Sequence, residues 1–354
     1  MKTGKTITQL AERLEYIRTN KKDLVGSTGN VTAIGNGDLT LDLGVEGRDP
    51  SPLNDVAHSQ VAASLKIPKV YYDRMRSEDP QLLAHNVNTW MHKEPKNKMF
   101  RTLDNTVRAF VSDRFRPLDN ADLAEAVFPT LANLELQVES CELTERRMYI
   151  KAYHPTLTSE PKVGTIMAAG VVIRGSDVGM GSTEILRSVK EMRCTNGWII
   201  EKTISQRHIG RKTSVGDVDN AREFFTDQTR QTEDKAFFLK MRDTVNSLFN
   251  KDEFEKSLTK FKEAGKQEMT ADPMKVVEYV ADKYRFTDEE KGSCLSHLIR
   301  GGDLSKLGLG AAITRTAQDL ECYDRATEFE ATGTKLVELP RKEWEKVALE
   351  QFAA

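Results

Sequence analysis

Four cysteines in 354 residues, 7% aromatic content and a formal charge of −2 withhold the raw material of several kinds of protein. Cys141, Cys194, Cys294 and Cys322 are scattered, with neither metal-clip spacing nor the density of a disulfide scaffold. With no leader pattern visible, the expectation is reduced thiols in a cytoplasm, the host's if a phage encodes the chain. No stretch approaches the ~20 apolar residues of a membrane-spanning helix. The longest apolar run, residues 166–173, is broken by glycine. A net charge so near zero excludes a uniformly basic nucleic-acid coat but permits a local basic strip. Also missing are an internal repeat, a low-complexity tract, a proline-rich linker, GxSxG, a P-loop, HExxH and a dinucleotide fingerprint.

What remains is 38% hydrophobic and 30% charged, a composition able to bury a core beneath a heavily solvated surface. The first twenty-odd residues space Ile7, Leu10, Leu14 and Ile17 as a helix. Gly35-Asn36-Gly37 predicts a hairpin. Helices are expected over 54–65, with Asn54 or Asp55 as cap, and over 80–92. From about 100 to 209 the pattern is β-rich, interrupted by one helix over 120–131 with Asn120 as its cap. Beyond Gly216 it becomes amphipathic and helical, with Phe224, Phe237, Met241, Val245 and Leu248 as an apolar stripe. The expected class is α+β: an antiparallel sheet region flanked by helices and a helical C-terminal half. The expected division is a mixed domain over 1–215 and a mainly helical region over 216–354 with a small closing tail.

The stretch "MRCTNGWII", followed by "QRHIGRK", brings a thiol, an imidazole and several basic residues together. Zinc needs three or four ligands, and Cys194 with His208 supplies two. A thiolate–imidazolium pair is a second reading, set against the commoner inert cysteine in an apolar strand. Asp113, Asp119 and Asp122 suggest a metal-dependent nuclease less well than a turn and a helix cap. No metal or other cofactor and no catalytic residue is expected. A basic hairpin is the reading that survives. Arg187, Lys190, Arg193, Lys202, Arg207, Arg211 and Lys212 face only Glu191 and Glu201, and Asn196-Gly197 would turn the hairpin.

Arg101, Arg108, Arg114 and Arg116, among Phe100, Phe110 and Phe115, form a second cluster; Arg146, Arg147 and Lys151, with Tyr149 and Tyr153, form a third. Strand alternation puts Tyr149, Lys151 and Tyr153 on one face, suited to stacking bases while holding phosphate. The expected roles are phosphate contact for Arg108, Arg114, Arg116, Arg193, Arg207, Lys212 and Lys151, and stacking for Tyr149, Tyr153 and Trp198. The plain reading is a wet sheet face with its aromatics in the core. For Arg315, Asp324 and Arg325 a buried ion network is expected rather than a ligand contact.

The segments "IPKVYYDRMRSEDPQLLAHNVNTWM", "RTLDNTVRAFVSDRFRPLDNADL", "RCTNGWI…RHIG" and "LGAAITRTAQDLECYDRATEFEATGTKLVELPRKEW" together resemble the phage- and plasmid-encoded family called domain of unknown function 932, over residues 53–344. The resemblance implies a cytoplasmic mobile-element protein expressed beside DNA-processing genes. Basic strands flanked by helices are loosely similar to the ring-forming single-strand annealing proteins. The expected function is therefore single-stranded DNA binding or annealing in recombination or replication, by a homo-oligomer. The alternative is a non-catalytic anti-defence or host-interaction protein with a host protein as partner. No membrane partner is expected.

Overall fold

The computed structural model describes residues 1–192, 196–206 and 227–348. It is α+β, with antiparallel sheets and helices concentrated in the C-terminal half. Helix α1 (Ile7–Asn20) starts at Thr6, whose side chain accepts from Gln9 N while Gln9 returns the bond, a reciprocal capping box. Its buried Leu10 and Leu14 lie one turn apart.

The N-terminal lobe holds two small sheets. Strand β1 (Lys21–Ser27) pairs antiparallel with β5 (Asn97–Leu103), and β5 pairs with β6 (Thr106–Ser112). Strands β2 (Thr32–Asn36), β3 (Asp38–Asp42) and β4 (Ser51–Pro52) form the other sheet. Gly37 turns the β2–β3 hairpin at φ +78°, a conformation glycine adopts without steric cost. Helices α2 (Asp55–Ser64), α3 (Lys69–Glu78) and α4 (Pro80–Lys93) close this lobe over a core that includes Leu41, Val61, Tyr72, Leu83, Val87 and Phe100. Asn54 caps α2 through Ala57 N, as expected from sequence.

Helix α5 (Asn120–Asn133) leads into five antiparallel strands: β7 (Gln137–Leu143), β8 (Met148–Lys162), β9 (Thr165–Gly175), β10 (Thr183–Glu191) and β11 (Gly197–Gln206). They lie side by side in chain order. One face packs on α1, α5 and α6 (Asp227–Ser247) through Leu10, Val127, Ile150, Ile173 and Met241. The other meets α7 (Lys251–Ser257), α8 (Thr259–Ala264), α11 (Lys306–Thr316) and α12 (Tyr323–Val337), where Met167, Val189, Trp198, Phe261 and Val337 share a core. Covered on both faces, β10 has all nine of its residues buried. A further core joins α9 (Pro273–Tyr284), α10 (Asp288–Gly301), α11, α12 and α13 (Arg341–Ala348).

Two local expectations are corrected. Asn120 is the buried first residue of α5, not its cap. Asp119 occupies the cap position, yet its carboxylate turns to Arg101 and Lys21 instead of the helix. Asn196-Gly197 is not the turn between β10 and β11, because Gly197 is already a strand residue paired with Lys190. A Cβ there would run into the Met1 side chain, so the glycine serves close approach.

Candidate functional site

The basic and aromatic residues of the central sheet do not form an open face. Lys151 Nζ lies 2.8 Å from Glu330 Oε2 and 4.6 Å from the centre of the Tyr323 ring, wholly buried. Tyr149 is 2% exposed, and its hydroxyl donates to Asp324 Oδ1 at 2.6 Å. Tyr153 is buried under Lys190, whose Nζ sits 4.0 Å from the ring centre, and its hydroxyl bonds Gln137. Trp198 is 1% exposed and meets Phe261 edge-on at 5.2 Å. Alternation did place Tyr149, Lys151 and Tyr153 on one side of β8, but the C-terminal helices cover that side. The expected stacking and phosphate roles of these four residues are corrected on that ground.

The arginines are largely engaged within the protein. Arg101 is fully buried, with its guanidinium bonded to Asp23, Asp119 and the Asp177 carbonyl. Arg108 is buried against Asp177 at 2.8 Å, which corrects its phosphate role. Arg116 is half-buried and bridges to Glu233 at 2.8 Å and Asp234 at 2.7 Å on α6. Arg114 is exposed. Arg187 pairs with Glu201, and Lys190 with Glu139. Arg193, Arg207 and Lys212 lie outside the described residues, as do Cys194, His208 and Phe224. In the tail, Arg325 is gripped by Glu290 and Glu328 while Asp324 takes Tyr149 and Thr144, and Arg315 donates to Gln318 at 2.6 Å.

Among the described residues no group of three or more histidine, cysteine or carboxylate side chains is placed to hold a metal ion. Burial pushes the Cys141 and Cys294 thiols up to about 12, with Glu142 adding to the effect at Cys141. Neither is a thiolate near neutral pH.

A different region presents aromatic rings and weakly engaged cations together. A groove of about 500 Å³ opens beside α3 and α4, lined by Tyr71, Asn86, Trp90, Glu94 and Lys66, Lys96 and Lys98, among others. Its size falls in the range of about 300–1,000 Å³ typical of ligand pockets. Leu65, Ile67, Pro68, Met91 and Phe110 give it apolar walls. Tyr71 is 48% and Trp90 45% exposed, unlike the chain's other two tryptophans, Trp198 at 1% and Trp344 at 2%. Lys93 Nζ lies 5.2 Å from the centre of the Trp90 ring, and Lys98 Nζ 5.2 Å from that of Phe110. Among the described residues Lys96 has only a loose partner, Glu94 at 3.5 Å with both side chains exposed. Burial, then the neighbouring Lys96, holds the Lys98 ammonium below the ordinary lysine range, so a nearby anion would relieve it.

The local structure explains the placement. Thr28 N donates to the Lys96 carbonyl at 3.0 Å, and Thr28 Oγ1 accepts from Lys96 N at 3.0 Å. These bonds pin the segment that carries Lys96 and Lys98 to the start of the lobe. Lys66 ends the turn after α2 at φ +56°, a left-handed conformation that costs a non-glycine residue energy. The expectations from sequence passed over this groove. Its signal was the run "WMHKEPKNK", a tryptophan at a helix end followed by Lys93, Lys96 and Lys98 around a proline.

Comparison of the chain with family models, with curated proteins and with solved structures found no match in any of the three. The likeness to the domain of unknown function 932 family is therefore an expectation from the quoted motifs, which none of the three comparisons supports.

Proposed function

We propose that this chain binds single-stranded DNA, and that the strand lies in the Tyr71–Trp90 groove rather than on the central sheet. The supporting observation is the pairing of two exposed rings with a set of weakly engaged lysines around one groove. Every base has a face that can stack on an aromatic ring, and lysines along the rim neutralise the backbone, so such a site tolerates any sequence. The reading needs no catalytic centre. The family resemblance adds the proposed setting: recombination or replication of a phage or plasmid in the host cytoplasm, with homo-oligomers ordering the strand for annealing.

Trp90 makes the test direct, because a base stacking on the one exposed tryptophan quenches intrinsic fluorescence while Trp198 and Trp344 stay sealed. Titration with a short mixed-sequence oligonucleotide is expected to quench saturably in wild type and not in Trp90→Phe. No quenching and no salt-sensitive mobility shift would overturn the reading. Capture of a host protein that depends on Trp90, without oligonucleotide binding, would favour the host-interaction reading.

A further inference from the structure

Asn86 lines the groove from α4 with its amide held in one orientation. Its Nδ2 donates to the Leu82 carbonyl at 2.9 Å and towards Met75 Sδ at 3.5 Å. Turning the amide over would set its oxygen against those two acceptors, so the orientation is chemically enforced. Both N–H groups are thereby occupied. Oδ1 accepts no hydrogen bond among the described residues, and it is not one of the buried unpaired atoms. It remains an open acceptor. Glu94, with 72% of its side chain exposed, adds an acceptor on the same lining. The Thr28 hydroxyl is already donating to the Met91 carbonyl at 3.1 Å while accepting from Lys96 N. Ser64 contributes a hydroxyl that can serve either way. With the lysines set aside for phosphate, the lining also carries the Trp90 indole N–H and the Tyr71 hydroxyl, so Asn86 Oδ1 is the acceptor whose orientation the structure fixes.

Cytosine and adenine each present an exocyclic amino group with two N–H donors, and guanine adds a ring N–H beside its own. Thymine and uracil present one ring N–H between two carbonyl oxygens, which repel an acceptor placed opposite them. Resting on the single-strand reading above, we infer that the groove selects bases carrying an amino group over thymine and uracil, with Asn86 Oδ1 as the accepting atom.

The comparison that isolates this atom uses oligo-deoxycytidine and oligo-deoxyuridine, whose bases are pyrimidines of equal size without a methyl group. With Trp90 quenching as the readout, wild type is expected to bind the cytidine strand roughly three- to tenfold more tightly, the worth of about one net hydrogen bond. Asn86→Leu is expected to bring the two affinities together by weakening the cytidine strand alone. Equal binding of both strands by wild type would overturn the inference and leave the strand reading standing, as would a preference undiminished in Asn86→Leu. The first comparison requires no variant, so it does not depend on whether Asn86→Leu folds. If neither strand binds, the strand reading falls and the inference with it.

Discussion

Lys151 Nζ and Glu330 Oε2 meet at 2.8 Å, with neither side chain reaching solvent, and so tie strand β8 to helix α12 across 179 residues of chain. Burial alone pushes the Lys151 ammonium below its ordinary range, and Glu330 is the group that offsets it. Lys151→Met, which strands the carboxylate, is expected to cost about 3–5 kcal/mol of unfolding free energy in urea. Lys151→Met with Glu330→Leu should recover most of that loss. If the double variant is no more stable than the single, the pair is not what ties β8 to α12.

The same double variant separates structure from binding. With Lys151 inside, oligonucleotide affinity should be unchanged once stability is restored. A fall of tenfold or more in a folded double variant would return Lys151 to the binding surface.

At the groove, Trp90→Ala is expected to weaken strand binding by roughly 1–3 kcal/mol, the range measured for a lost stacking contact. Three lining lysines, each releasing about 0.7 of a counterion from a single strand, predict a slope of about −2 in log affinity against log salt. Lys96→Ala with Lys98→Ala should flatten it to about −0.7. An unaltered slope would show that the phosphates lie elsewhere.

His58 gives a pH signature. It is fully buried, with Nδ1 2.9 Å from the Tyr72 hydroxyl, and burial, followed by Arg76, pushes it down to about 4 against the pull of Asp38 and Asp55. The unfolded chain takes up this proton near pH 6.5, and the folded chain resists until about pH 4. Between those values the unfolded state binds more protons, so stability falls as pH falls, by on the order of 3 kcal/mol across the window. Asp38 and Asp55, held below the usual carboxylate range chiefly by Arg76, contribute their losses at lower pH. Urea midpoints followed from pH 7 to pH 4 should drop in wild type and much less in His58→Gln.

Thiol chemistry distinguishes the cysteines. In a Cys194→Ser background, a thiol reagent at pH 8 is expected to modify Cys322, which is exposed, and to spare Cys141 and Cys294 until the protein unfolds. Rapid native labelling of Cys141 would contradict its burial within strand β7.

The elements legible in the sequence are those set by neighbours along the chain. Asn54 before an apolar helix, Gly37 after an asparagine, and the spacing of Ile7, Leu10 and Leu14 each carry a local physical demand that no distant contact overrides. Tyr149, Lys151 and Tyr153 were legible in one respect and not another. A two-residue period tells which side chains share a face, whereas the cover over that face comes from Tyr323 and Glu330, far along the chain. Arg108 misled for the same reason: a basic residue in a strand reads alike whether its partner is a phosphate or Asp177. Trp90 was missed because an aromatic at a helical interval reads as core; only the fold reveals that it overhangs a groove.

Arg101 and Arg108 fasten the first lobe to the rest of the molecule by reaching from β5 and β6 to Asp119 and Asp177. Cations that bind the lobes together are thus segregated from the exposed lysines of the groove. On the proposed reading, a polyanion crowding the rim would find no purchase on the buried clamps, and loading and dismantling would be separate events. If the groove holds a strand as proposed, that strand can be gripped without prying the lobes apart.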